Sequence, residues 1–424
     1  MSHAPDHPRD PLGWNVAIAL GFLALLAIRL TIPSKPFFDE IHYVPAARVL
    51  LALDHPVNVE HPLLGKELIA LGMRLFGDDP LGWRIMPALF GTLGLFAGMR
   101  ALWFAAGSRF ASIAGGILLA SDFLWFVMSR IAMLDIFMAS LTLVALWMLA
   151  GAVRENERGR HRLAIAGVAL GLAIAAKWNA APLAMLPGLA FAAVRLHEAG
   201  WRGLTTRRAG PIAGIPLWEA ALWLGIVPLL TYALTFVPAM FYAHDPLAPT
   251  GLIALHRQMI ELQEEVVKPH PYQSVWYQWV FDWRAIWFLY EPVDGAQRGV
   301  LLVGNPLTML LGLGALVWTG VHGFTEGRRD ALALFVLYAV SLGMWIVADK
   351  PVQFYYHYLL PSTFLIGMVA LTLGALWRRG RRTIPLLVLL GSVALFAGFY
   401  PILSAAALES PQSFAHWMWL DSWR

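Results

Sequence analysis

Two adjacent carboxylates, Asp39 and Glu40, lie in the chain just beyond its first long apolar run. Single basic or polar residues then recur at the ends of later apolar runs. They are Arg84 in Gly82-Trp83-Arg84, Arg130 and Asp135 in the stretch from Ser129, and Lys177 in Ala176-Lys177-Trp178. His61 and Lys66 share a short motif around Pro62 and Gly65. His270, Tyr272 and Trp276 fall together further on, and Gln353 and His357 precede a late apolar run. A carboxylate pair beside several cations suits group transfer from a phosphate-linked donor. The carboxylate takes a proton from an acceptor hydroxyl. Arg and Lys hold the phosphate and neutralise its charge as it leaves. Side chains of adjacent residues diverge, so one carboxylate can act as base while the other positions the acceptor or its neighbour.

Each residue also has a plainer reading. Asp39-Glu40 alone is equally well a solvated pair. Basic residues at helix ends commonly snorkel, Trp276, Tyr277 and Trp279 fit an interfacial aromatic belt, and Tyr356-His357-Tyr358 fits helix packing. Lone His61 or His270 is more often hydrogen-bonded structure than a metal ligand. With no HExxH and no close His pair, no metal ligand set is expected, although a divalent metal requirement stays open. There is no cysteine, which excludes disulfides, thiolate zinc and cysteine nucleophiles. No Gly-rich phosphate loop follows a strand, so nucleotide binding has no support.

The elements that must carry these residues are membrane helices. The chain of 424 residues is 58% hydrophobic and 14% charged, against about 45–50% and 25% for soluble domains. Mean hydropathy is +0.61. The net charge of +4 sits in short loops between apolar segments, the pattern of membrane orientation rather than of a nucleic-acid groove. Eleven segments suit spans of about 20 residues: Trp14–Ile32, Leu81–Phe104, Ala111–Met128, Ile131–Gly151, Leu163–Ala176, Ala180–Val194, Pro216–Ala239, Val300–Val321, Ala331–Val347, Tyr355–Trp377 and Thr383–Ala407. Met1 to Gly13 lacks a cleavable-signal pattern, so the first span is read as retained. With the N-terminus cytoplasmic, every inner loop carries Arg, from Arg109 through Arg158 and Arg207 to Arg382. All the polar patches then fall on the outer side, including Asp349-Lys350, and that common placement weighs against the plainer readings. The organisation expected is an N-terminal module over 1–242 with an acidic outer loop at 33–80, an extracytoplasmic loop over 243–299, and a C-terminal module over 300–424. Each outer loop carries an amphipathic helical stripe. One is Leu64, Leu68, Leu71 and Leu75; the other is Leu255, Met259, Leu262 and Val266, with Glu261, Glu264 and Glu265 off it.

In order along the chain, Phe38-Asp39-Glu40-Ile41-His42-Tyr43, His61-Pro62-Leu63-Leu64-Gly65-Lys66, Gly82-Trp83-Arg84 with Pro87-Ala88-Leu89-Phe90-Gly91, Ser129 through Asp135, and Ala176-Lys177-Trp178 resemble the N-terminal half of protein O-mannosyltransferases. His270-Pro271-Tyr272-Gln273-Ser274 with Trp276 through Trp279, Gly304-Asn305-Pro306, and Tyr356 through Pro361 resemble the C-terminal membrane region of that family. The resemblance implies an all-α, C-type glycosyltransferase fold of about eleven spans and a polyprenyl-phosphate mannose donor. It also implies inversion at the sugar carbon and a Ser or Thr acceptor on a translocating protein, outside the plasma membrane, with association with the secretion machinery a further expectation. By position, Asp39 corresponds to the catalytic base and Glu40 to its partner. Arg84, Lys177, Arg130 and Asp135 correspond to the donor side, and His61, Lys66, His270, Tyr272, Trp276, Gln353 and His357 to motif or acceptor-side positions. Leu63 stands where a second Pro is usual, Val280 and Ala285 where Pro is common, and the second outer loop is too short for an inserted domain. The rival expectations are a lipid or glycan acceptor with the same donor type, and a transporter or flippase, which needs charges at the bilayer midplane.

Overall fold

Inside a bilayer the backbone must satisfy its own hydrogen bonds, so apolar runs of this length become helices. The computed structural model describes residues 9–264, 269–348 and 350–424. Helices dominate: α1 (Leu12–Ala27), α2 (Glu40–Ala52), α3 (Leu64–Phe76), α4 (Pro80–Ala106), α5 (Arg109–Ala120), α6 (Phe123–Met128), α7 (Leu134–Arg154), α8 (Gly159–Ala176), α9 (Ala181–Ala199), α10 (Leu217–Ala221), α11 (Val227–Leu234), α12 (Leu252–Glu264) and α13 (Trp276–Val280). A hairpin of β1 (Ile286–Val293) and β2 (Ala296–Leu302) follows, then α14 (Pro306–Thr325), α15 (Arg329–Val347), α16 (Leu359–Arg378) and α17 (Thr383–Leu403). One principal core draws buried side chains from α1 to α9 and from α13 to α17, with α4, α7 and α16 at its centre, and a smaller one lies among α7 to α10.

Among the described residues, nine helical stretches are long and apolar enough to cross a membrane, while α1 and α5 are shorter. The exact count of eleven is not confirmed, and three of the expected spans are altered locally. The first expected span stops at Ala27 because Ile28 turns extended and Arg29 takes φ 56. The third is cut where the Asp122 carboxylate accepts the Trp125 N–H at 2.9 Å and starts a new helix. Val300 to Leu302 belong to β2, so that span opens at Pro306.

The hairpin adds two strands to a fold that is otherwise helical, as expected, and it runs across the expected boundary at residue 300. Ile286-Trp287-Phe288-Leu289-Tyr290 is rich in strand formers. The strands pair antiparallel around Asp294-Gly295, both with positive φ (49° and 73°), as a tight hairpin turn requires. The pairing is irregular at Phe288.

Both outer loops fold onto the bundle. The first holds α2, which hydropathy did not suggest, and α3. In α3, Gly65, Ile69, Gly72 and Met73 are packed inward, whereas Leu71 and Leu75 of the expected stripe are exposed. Gly72 and Gly82 allow α3 and α4 to touch: a Cβ on Gly72 would come within 2.3 Å of the Gly82 carbonyl oxygen. In α12 the stripe points inward through Met259, with Glu261 and Glu264 exposed. Val266 and Glu265 lie outside the described residues, as does Asp349.

Candidate active site

The expected polar patches do meet at one end of the bundle, where α1 ends, α4 and α7 begin, and α8 turns into α9. Glu40 opens α2 and is fully buried. Its carboxylate accepts Arg84 Nε and Nη2, each at 2.8 Å, and the N–H groups of Ala132 at 2.9 Å and Phe37 at 3.3 Å. Arg84 is equally saturated. Its Nη1 donates to the carbonyls of Leu30 (3.2 Å) and Pro33 (2.7 Å), and Nη2 also donates to that of Lys35 (3.1 Å). The pair knots the end of α1, the start of α2, α4 and the turn before α7. The expectation that Arg84 faces a donor phosphate does not match this geometry, because every N–H of the guanidinium is already taken. Arg130 is similar. It donates to the carbonyls of Leu26 and Arg29 (2.8 Å for the latter), filling the open C-terminus of α1.

Asp39 is the exception among these charges. Among the described residues nothing hydrogen-bonds or pairs with its carboxylate, which is only partly exposed. Burial pushes it up to about 6, against the pull of Lys177, while Asp135 reinforces the rise and His42 and Lys350 oppose it. The residue before it, Phe38, has φ 50, a strained setting for a bulky side chain. Stacking on Phe288 (centroids 3.9 Å apart) and an edge contact with Tyr356 hold it there. The strained Phe38 thus sets the direction in which Asp39 leaves the chain.

Facing Asp39 is a cationic wall. Lys177 ends α8 and donates to both oxygens of Asp135, at 2.9 and 2.8 Å, in the first turn of α7. Antiparallel α7 and α8 put a carboxylate at a helix N-terminus and an ammonium at a C-terminus, where each is favoured. The ammonium lies 5.2 Å over the Tyr356 ring. Lys350 is half-buried, with one long contact to Gln263 Oε1 at 3.4 Å. Burial and the neighbouring Lys177 bring it down to about 8, against Asp135 and Asp39. Next to this wall, a narrow internal cavity is lined by Asp135, Asn179, Ser341, Trp345 and His357. His357 stacks on Trp345 at 3.9 Å and accepts the Phe354 N–H at Nδ1, which leaves Nε2 to carry the ring proton.

The remaining expected residues shape loops. Lys66 is buried and donates to the carbonyls of Asn58 (2.6 Å), His61 (3.0 Å) and Val57 (3.5 Å); burial lowers it to about 8. This brings the His61 ring to 5.9 Å from Tyr43, and burial keeps that imidazole well below its usual range, hence neutral. Gln353 donates to the Trp345 carbonyl and accepts the Ser274 N–H through its own, tying the second loop to the α15 end. His270 is exposed, accepts the Tyr272 N–H at Nδ1 and packs edge-on to Phe354. Trp276 is half-buried at the start of α13. Tyr272 borders a cleft of about 400 Å³ with Lys35, Phe38, Phe288, Tyr290 and Glu291. Lys350, Asn179 and Ser341 were not singled out in the sequence as site residues. Only Lys350 had a signal, in the outer Asp349-Lys350 pair. Among the described residues no group of three or more His, Asp or Glu could hold a metal.

Two family profiles match the chain. One, described as dolichyl-phosphate-mannose-protein mannosyltransferase, covers residues 60–207, and the other, the C-terminal four-transmembrane region of protein-O-mannosyltransferase, covers residues 249–331. The chain belongs to the protein O-mannosyltransferase family. It is a multi-pass membrane glycosyltransferase. A polyprenol-phosphate-mannose–protein mannosyltransferase of Mycobacterium tuberculosis is 29% identical, with 98% of this chain and 93% of the relative covered. The fold is shared with a Saccharomyces cerevisiae protein O-mannosyltransferase complex bound to the sugar donor, with TM-score 0.79, 14% identity, and 97% of this chain and 92% of that one covered. It is also shared with ArnT of Cupriavidus metallidurans bound to undecaprenyl phosphate, with TM-score 0.60, 17% identity, and 92% and 77% covered.

Proposed function

We propose that the protein moves mannose from a polyprenyl phosphate to a Ser or Thr hydroxyl of a polypeptide, with inversion at the sugar carbon, on the extracytoplasmic face of the plasma membrane. The observation that carries this reading is the unpaired Asp39 carboxylate opposite Lys177 and Lys350. Asp39 takes the proton of the acceptor hydroxyl as that oxygen attacks the sugar carbon. The bond from that carbon to the phosphate oxygen breaks, and the phosphate leaves with the electron pair. A single displacement inverts the centre, and the free Asp39 carboxylate, with Glu40 and Asp135 both held in ion pairs, supports a base rather than a separate nucleophile. Lys177, oriented by Asp135, and Lys350 neutralise the departing phosphate, and His357 Nε2 is a further donor toward it. Glu40 and Arg84 act one step back, as the frame that aims Asp39. The curated relatives named as polyprenol-phosphate-mannose–protein mannosyltransferases support the donor and the polypeptide acceptor. Acceptors would be chains emerging from the membrane, which is the reason to expect secretion machinery nearby.

The test is purified protein given polyprenyl-phosphate [¹⁴C]mannose with a Ser/Thr peptide and, separately, with a lipid acceptor. Label in the peptide, lost with Asp39→Asn, is the expected outcome. Label only in lipid overturns the acceptor class. Sugar crossing liposomes without a covalent product overturns the transferase reading.

A further inference from the structure

The hairpin has two strands, so each strand keeps one edge outside the ladder. The outer edge of β2 is partly covered, since Leu408 bridges to Gln297 and donates its N–H to that carbonyl at 2.8 Å. Among the described residues the outer edge of β1 pairs with no strand. Exposed edges are normally shielded, because their free N–H and C=O groups invite another strand. Here the edge borders the 400 Å³ cleft instead. The cleft is lined by five successive residues, Trp287 to Glu291. Side chains of successive strand residues point to opposite faces, so a run of five can line one cleft only along the strand's edge. The opposite wall is formed by Lys35 to Phe38 and by Ile41, and Asp39 follows Phe38 directly in the chain.

We propose that β1 is a docking strand for the acceptor: an extended polypeptide segment adds to the β1 edge as a third strand and is thereby led to Asp39. The occupant must offer main-chain N–H and C=O groups at strand spacing, which a polypeptide does and a lipid or glycan does not. Five edge residues span about 16 Å at about 3.3 Å each, the length of an acceptor of about five residues. Pro292 has no N–H and ends the donor edge at one end. There the Lys35–Glu291 ion pair (2.9 Å, both half-exposed) bridges the two walls. The ladder irregularity at Phe288 falls where that ring stacks on Phe38, the residue that aims the base. Recognition through the main chain makes selection depend on extended conformation more than on flanking side chains. This inference rests on the polypeptide-acceptor reading.

The experiment uses the full protein, polyprenyl-phosphate mannose and one Thr peptide in three forms: unmodified, N-methylated at alternate residues in one phase, and N-methylated in the other. Alternate residues of a docked strand direct their N–H groups to the same side. The expected result is a KM raised about tenfold in one phase, the loss of two or so net hydrogen bonds, with little change in kcat and little effect of the other phase. Scrambling the flanking side chains changes KM less than threefold. Equal effects of both phases, or none, overturn the proposal. If no peptide is mannosylated, the acceptor class proposed above fails, and fluorescence-anisotropy binding of the same three peptides decides this inference alone. Phase-dependent weakening supports it; uniform binding or none overturns it.

Discussion

At Asp39 the needs of chemistry and of folding oppose each other. A carboxylate left without a partner in a largely buried place is free to accept a proton, and it is destabilising for the same reason. Its folded pKa of about 6 lies above the ordinary aspartate value of 3.8. The folded state therefore binds more protons between those values, and its stability falls as pH rises through that window. Asp39→Asn should thus lower kcat by roughly 10²–10⁴ and raise the melting temperature at pH 7; normal turnover with intact folding would remove Asp39 from the role of base. In the free enzyme, kcat/KM should fall below pH about 6 with Asp39 and above about 8 with Lys350. Lys350→Arg should move the alkaline limb beyond pH 9. Arg84 belongs to a different class. Breaking a buried ion pair costs about 3–5 kcal/mol, so Arg84→Ala should show as lost folded protein in a thermal melt. Lys177→Gln breaks the buried pair with Asp135, so it should lower the melting temperature as well, and the protein that stays folded should show a raised donor KM, which folded Arg84→Ala should not. The sequence made Asp39, Glu40, Arg84 and Lys177 visible as residue types in unusual places. It did not separate a charge that works from a charge that is consumed, because that depends on where five guanidinium N–H groups go, and three of their partners are carbonyls of residues 30–35.

Among the elements, the long apolar helices were legible because lipid leaves an apolar run little choice but helix. The two shortened spans were not, because the interruptions are single residues: Asp122 capping inside an apolar stretch and Arg29 with positive φ. The hairpin carried a local signal, Asp294-Gly295 after a β-branched and aromatic run, but it was absorbed into a loop and the next span. Helix α2 was hidden since its packing face mixes Tyr43, Val44, Ala46 and Ala47 with the charged Glu40. The hairpin places Phe288 against Phe38, so its integrity should reach the chemistry. Gly295 has φ 73 with open space around it, so Gly295→Val adds backbone strain and no clash. The cost should be about 1–2 kcal/mol, read as a melting temperature lowered by a few degrees. The acceptor KM should rise more than kcat falls, because the strand edge shifts while Lys177 and Asp135 stay on α8 and α7.

Over the whole molecule, the two ends of the bundle treat charge in opposite ways. The end that holds Asp39 buries its ions and gathers them across α2, α4, α7 and α8. The other end spreads arginines over short connections. Arg160 pairs with Glu219, Arg162 with Glu155, Arg328 with Asp330 at 2.6 Å, and Arg195 folds the 206–215 loop around itself through three carbonyls. Arg379, Arg381 and Arg382 stand exposed between α16 and α17. In the orientation proposed above, which follows the positive-inside rule, that arginine-rich end faces the cytoplasm and Asp39 the exterior. A lipid-linked donor then makes sense, since the sugar reaches the outer face already attached to a carrier that stays in the membrane. The chain has no cysteine, so its orientation can be read with single introduced thiols in otherwise unmodified protein. Thr250→Cys, in the loop before α12, should react with a membrane-impermeant maleimide on intact cells or spheroplasts, and Arg381→Cys only after the membrane is opened. The reverse pattern would put the free carboxylate on the cytoplasmic side, where water-soluble nucleotide sugars are present, and would remove the reason for a polyprenyl carrier.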